Sequence, residues 1–251
     1  MNTVTERPIL FNSDMVRAIL DGRKTQTRRC VKPILNKDGN YIHGGNVDLA
    51  HKEILEWRLQ DGRWFGLYGY TTAAYADCPY GQVGDRLWVR ETWGVISYSF
   101  NEDGDMIEWT PDRPATHVHE LKFGCGYYTG HVIYASDGDH EWAGDDGGGG
   151  EPRSAWHPSI HMPRAASRIT LEITNVRIER LHRISESDSM QEGSECLITK
   201  NCTAEDRSFL NLPIMDDLHP YKNGFALQWD SIYGNWKSNP WVWAIEFKVV
   251  D

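Results

Sequence analysis

The chain has 251 residues, 40% of them hydrophobic, which suffices for a substantial core in one large domain or two small ones. Five cysteines (Cys30, Cys78, Cys125, Cys196 and Cys202) with no CxxC pair fit reduced thiols rather than a disulfide framework or a zinc ribbon, and no cofactor signature is written. The net charge of -10 weighs against long polyanions, Glu6 and Arg7 interrupt the place where a signal peptide needs apolar residues, and no apolar run approaches the roughly 18 to 20 residues of a membrane helix; a cytoplasmic protein without a membrane partner is expected.

Taken in chain order, Ser13 is a good N-cap, and Met15, Val16, Ala18, Ile19 and Leu20 predict a short helix stopped by Gly22. Gly22-Arg23-Lys24-Thr25-Gln26-Thr27-Arg28-Arg29 follows at once, placing one lysine, two hydroxyls and three arginines in a single cluster. Such a cluster holds an anion or builds a nucleophile; as a solvated cap it would do neither, since cations favour helix C-termini in any case. From about Pro33 to Pro79, Gly and Asn mix with Trp57, Trp64, Phe65, Tyr68, Tyr70 and Tyr75, an ordered insertion rather than a disordered one.

Gly84-Asp85 is a turn into a strand over Arg86 to Trp93, where alternation puts Leu87, Val89, Glu91 and Trp93 on one face. Residues 101 to 151 hold twelve acids against Arg113 and Lys122, a local -10 that equals the whole-chain value, and end in the loop-forming run Gly147 to Gly150. Residues 1 to 37 carry eight Lys or Arg against three acids, so a basic face on a net-acidic molecule is expected. Ile169, Leu171 and Ile173, then Val176, Ile178 and Leu181, predict a long strand with a bulge, or a hairpin. Ser185 with Asp188 opens a short helix stopped by Gly193; Phe225 to Tyr233 reads as a helix and Trp241 to Val249 as a closing strand. The sum is α+β, with a mostly antiparallel β core.

GRKTQTRR fits the GxKxxTxR signature of the ASCH family, relatives of the PUA RNA-binding domain, and Gly84-Asp85-Arg86-Leu87-Trp88-Val89 resembles that family's GD-plus-strand. The Ile184 to Gly193 helix with Glu192 near its end, and the closing Trp243 to Lys248, resemble the family's helix and final strand. The order of RPILF, TRR, GDRLWVRETW, PSIHMPR and NPWVW segments is similar to ASCH proteins of tailed bacteriophages and prophages. The resemblance implies one ASCH domain over residues 1 to 251, a PUA-like small mostly antiparallel β-barrel with flanking helices, enlarged by insertions at about 31 to 79 and 96 to 163. ASCH proteins include amidohydrolases acting on N4-acetylcytidine, whose catalytic Lys, Thr and Glu would fall on Lys24, Thr27 and Glu192, with Glu91 a rival for the carboxylate.

The implied chemistry is consistent with the residue types. Hydrolysing an exocyclic amide needs a nucleophile, a base and donors for the oxyanion. Thr27 serves as the first and Lys24 as the second if the lysine is neutral; Arg23, Arg28 and Arg29 bind substrate or support the oxyanion. Trp156, beside His157, is a candidate pocket wall, whereas Trp88, Trp93, Trp229, Trp241 and Trp243 read as core. His117, His119, His157 and His161 have no partner signature for a metal. Against these stand plain alternatives: Glu91 as a strand residue paired with an arginine, and Glu192 as a helix-end surface acid. Three functions follow, each with its own partner: an amidohydrolase-like enzyme acting on an N-acylated or otherwise modified pyrimidine nucleoside, a non-catalytic RNA or modified-nucleotide binding module, or a phage-encoded protein acting on a host protein through the acidic insertion.

Overall fold

A computed structural model describes residues 4–31, 56–58, 64–68, 72–76, 78–140, 142, 155–197 and 219–250; the Gly147 to Gly150 run and Cys202 lie outside them. In chain order the strands are β1 (Glu6–Leu10), β2 (Gln26–Cys30), β3 (Glu56–Arg58), β4 (Trp64–Tyr68), β5 (Thr72–Ala76), β6 (Arg86–Arg90), β7 (Trp93–Ile96), β8 (Tyr98–Phe100), β9 (Met106–Glu108), β10 (Thr116–Phe123), β11 (Gly126–Tyr134), β12 (Thr170–Arg180) and β13 (Trp241–Val250). Among the described residues the α-helices are α1 (Ser13–Leu20), α2 (Glu186–Gln191) and α3 (Pro220–Tyr233). The fold is thus mixed α and β with a strand-rich core. Two compact units divide it: the first comprises residues 1–4, 22–85 and 172–248, the second residues 5–21, 86–171 and 249–251.

In the first unit β13 lies between β12 and β2 and runs antiparallel to β2, with Glu246 opposite Gln26, Ile245 opposite Thr27 and Ala244 opposite Arg28. Trp241 through Ile245 are all buried, the signature of a strand covered on both faces. β12 is one continuous strand rather than a hairpin; its buried positions switch parity from Leu171 and Ile173 to Val176 across Thr174 and Asn175, which is why the sequence pattern breaks there. Leu181, Ile184, Phe225, Ala226, Trp229, Trp236 and Val242 form one apolar cluster. β3, β4 and β5 make an antiparallel sheet whose register sets Trp57, Phe65 and Tyr75 at one level.

Helix α3 starts at Pro220 instead of Phe225 because Pro suits the first helical position and because its next backbone N–H groups find a distant cap. Tyr221 N donates to Glu186 Oε1 at 2.8 Å and Lys222 N to Glu186 Oε2 at 3.0 Å. This ties the start of α3 to α2. The same helix passes so close to the segment after α2 that a Cβ on Gly224 would lie 2.0 Å from the Glu195 carbonyl oxygen. Gly224→Ala is therefore expected to destabilise the protein by about 3 kcal/mol in urea unfolding, as overpacking against a backbone atom does.

In the second unit β1 and β6 pair in parallel, Ile9 opposite Val89, and β7, β11 and β10 form an antiparallel sheet in the order β10-β11-β7. The predicted Arg86 to Trp93 strand is in fact two: β6 ends at Arg90, and Trp93 opens β7 opposite Tyr134. Trp88, on the face opposite Leu87 and Val89, is buried as well, under the Arg90 guanidinium at 4.6 Å. The cap of α1 is Asn12, whose side chain accepts from Met15 N at 2.9 Å, rather than Ser13; Gly22, at φ 71°, follows the helix end as expected. Trp93, Val118, Leu121, Val132, Tyr134, Met162 and Ala166 build the core of the three-stranded sheet. The five tryptophans read as core, Trp88, Trp93, Trp229, Trp241 and Trp243, are all buried. Among the described residues Cys30, Cys78, Cys125 and Cys196 form no disulfide. Among the described residues no helix is long and apolar enough to cross a membrane.

Candidate functional site

Lys24 and Glu192 meet in the first unit, and the backbone explains why. Ser185 caps α2 by accepting from Asp188 N, the helix ends at Glu192, and Gly193 at φ 74° turns the chain away. Thr25 N then donates to Gln191 O at 2.8 Å, while Phe247 N donates to Thr25 O at 2.9 Å, so the residues before β2 are clamped between the end of α2 and β13. Lys24 and Glu192 form an isolated antiparallel bridge. The Lys24 Nζ donates to Glu192 Oε2 at 2.7 Å and to the Glu192 carbonyl at 2.8 Å. Glu192 is only 3% exposed and Lys24 2%, so the glutamate is no surface acid.

Arg28 holds the other oxygen of the same carboxylate, Nη1 to Glu192 Oε1 at 3.1 Å. Its remaining donors reach Gln26 Oε1, Glu179 Oε1 and Asp188 Oδ2. Arg177 continues the network to Glu179, Asp188 and Glu246. Lys24, Arg28 and Arg177 thus face Glu179, Asp188, Glu192 and Glu246 in one largely buried ion network. Burial pushes the Asp188 carboxyl up, but Arg177 and Arg28 beside it outweigh that and hold it below its usual value. Burial also pushes the Lys24 ammonium below the ordinary lysine range; Glu192 opposes this by charge and hydrogen bond, and Arg29 and Arg28 reinforce it. One carbonyl that Lys24 donates to belongs to the end of α2.

Thr27 is fully buried opposite Ile245, and its hydroxyl has no hydrogen-bond partner among the described residues. Strand alternation explains this: Gln26 and Arg28 share the face that enters the ion network, and Thr27 points to the other. The structure therefore brings Lys24, Glu192 and Arg28 together and sets the Thr27 hydroxyl beside them in sequence but outside their hydrogen bonds. Arg29 is half-buried, with Nη1 on the Arg28 carbonyl at 3.2 Å, and Arg23 is exposed.

Glu91 and Trp156 belong to the second unit. Glu91 is buried, receives the Ser136 hydroxyl and is gripped by Arg168, Nε to Oε1 at 3.0 Å and Nη2 to Oε2 at 3.2 Å. Arg168 also pairs with Asp137 and lies 3.9 Å from the Tyr134 ring centroid, whose hydroxyl burial pushes up to about 12. Glu91 is thus paired with an arginine, but it lies in the break between β6 and β7 rather than within a strand. Trp156 packs edge-on against Trp142 at 5.2 Å, beside the Ile96, Trp109 and Ile133 cluster. Among the described residues no three His, Cys, Asp or Glu side chains converge as metal ligands.

Gln26, Arg177, Glu179, Asp188 and Glu246 were not singled out from sequence as site residues. A signal existed: Gln26 with Arg28 and Arg177 with Glu179 are polar pairs two apart on strands, and Glu246 is the first charge in a strand that is apolar from Trp241 to Ile245. Comparison of the chain with family models, with curated proteins and with solved structures returns no match.

Proposed function

We propose that the chain is an amidohydrolase-like enzyme of the ASCH type, PUA-like in fold, that removes the acyl group from an N-acylated pyrimidine nucleoside of the N4-acetylcytidine kind. The observation that carries this reading is the buried Lys24 amine, held on Glu192 at 2.7 Å and depressed in pKa by its burial, three positions before a buried hydroxyl with no partner. A neutral Lys24 takes the Thr27 proton as Oγ1 attacks the acyl carbonyl. The C–N bond breaks, the exocyclic nitrogen receives a proton from the Lys24 ammonium, and water releases the acid from Thr27. Glu192 fixes the lysine, and Arg29, half-buried beside Arg28, supports the oxyanion. The reading requires Thr27 Oγ1, which makes no bond to Lys24 in the structure, to turn towards the amine in the substrate complex.

Purified protein is expected to convert N4-acetylcytidine to cytidine and acetate, followed by chromatography. Because Thr27 makes no bond to Lys24, a second reading is a nucleoside- or RNA-binding module. Binding of N4-acetylcytidine without turnover would replace the enzyme by that module; absence of both turnover and binding would sink the two together.

A further inference from the structure

The second unit carries a feature that the ion network does not use. β8 and β9 form a separate two-stranded sheet in which Phe100 lies opposite Met106 and Tyr98 opposite Glu108. Its apolar side chains are outside: Tyr98 is 50% exposed, Phe100 46%, Met106 64% and Ile107 45%. Tyr98 and Phe100 stand edge to face at 5.7 Å on one side of the hairpin.

This exposure does not come from a loose hairpin. Ile96, just before β8, and Trp109, just after β9, are both buried in one cluster with Ile133, so the base is anchored. The tip is anchored too: the Asn101 side chain accepts from Asp103 N at 3.0 Å and from Asp105 N at 2.7 Å, and Gly104 supplies the left-handed turn position at φ 82°. A fixed hairpin with an outward aromatic and aliphatic face has already lost the conformational freedom that binding would otherwise cost. Contiguous exposed apolar residues with a polar rim mark interaction surfaces.

The rim identifies the occupant. Glu102, Asp103, Asp105 and Glu108 are all exposed around the apolar face, within the segment that carries the chain's whole net negative charge. Nucleic acid and a second copy of the same hairpin are repelled by it. Among the described residues, each strand also has one edge without a neighbouring strand, able to accept an added one. We propose that the β8–β9 hairpin is a docking surface for an extended segment of a partner protein in which lysine or arginine alternates with apolar residues.

The test uses the full chain and a short fluorescent peptide alternating lysine with valine, followed by anisotropy. Two peptides of equal length serve as comparators, oligolysine and alternating glutamate–valine. The expected result is that both comparators bind at least about tenfold more weakly, and that either Tyr98→Ser with Phe100→Ser or Glu102→Gln with Asp103→Asn weakens the lysine–valine peptide at least about tenfold. Met106→Ser, at the most exposed of these positions, gives an independent apolar variant with the same expected direction. Oligolysine binding as tightly as the alternating peptide, or apolar variants without effect, would overturn the proposal in favour of diffuse charge attraction. Self-association by sedimentation that disappears in the Tyr98→Ser, Phe100→Ser protein would overturn it in favour of a second copy.

Discussion

Glu192→Leu is expected to destabilise the protein by about 3–5 kcal/mol, because it strips one buried anion from two buried cations. Lys24 Nζ and Arg28 Nη1 hold different oxygens of that carboxylate, at 2.7 Å and 3.1 Å. Lys24→Met should cost less, about 1.5–3 kcal/mol, since Glu192 keeps Arg28 when the lysine is gone. The double variant should fall short of the sum of the two by about 2 kcal/mol, because each single change already removes the shared interaction. Urea unfolding of the four proteins measures this cycle. Additive effects, or a Glu192→Leu loss under about 1 kcal/mol, would mean that the pair contributes no coupling and that Arg28 with Glu179 and Asp188 holds the region alone.

The same pair sets a pH dependence whose sign follows from burial. Lys24 binds its proton less readily in the folded chain than at the ordinary value of 10.5, so between its lowered folded pKa and 10.5 the unfolded chain carries more protons than the folded one. This group's contribution to stability therefore rises with pH across that window and is flat above and below it. Lys24→Met should flatten that alkaline component.

Local signals were readable where the physics is local. Gly22 and Gly193 stop their helices, and Ser185 caps α2, because each uses a backbone conformation or a bond within four residues. The lysine, the threonine and the arginines of the cluster were likewise visible as a spacing. What could not be read is which partner each acquires. Glu192 is 168 positions from Lys24, and only the clamp of Thr25 between Gln191 and Phe247 makes it a buried acid rather than a helix-end one. Arg28 illustrates the same limit: its charge suggested a substrate contact, and the fold spends its donors on Glu179, Asp188, Glu192 and Gln26. Alternation places Glu91 among buried residues, as the structure does, yet it carries no information about Arg168, which pairs with it. The start of α3 was missed because its cap comes from Glu186, on another helix.

Under the amidohydrolase reading, Thr27→Ala should lower kcat for N4-acetylcytidine at least about a thousandfold, the scale seen when a covalent nucleophile is removed. Thr27→Ser should retain a substantial fraction, because the hydroxyl is kept and only a buried methyl is lost. A packing role predicts no such split, since alanine leaves the larger cavity opposite Ile245 but removes the polar atom without a partner, whereas serine leaves the smaller cavity and keeps that atom. The wild-type pH profile separates the base from a mere structural cation. If neutral Lys24 is the reacting form, kcat/KM rises with pH along a single limb whose midpoint lies below 10.5. Glu192 favours the charged lysine, so Glu192→Gln should move that midpoint further towards acid in whatever activity remains. A limb that stays in place in Glu192→Gln would belong to another group, and the assignment of Lys24 as base would fall with it.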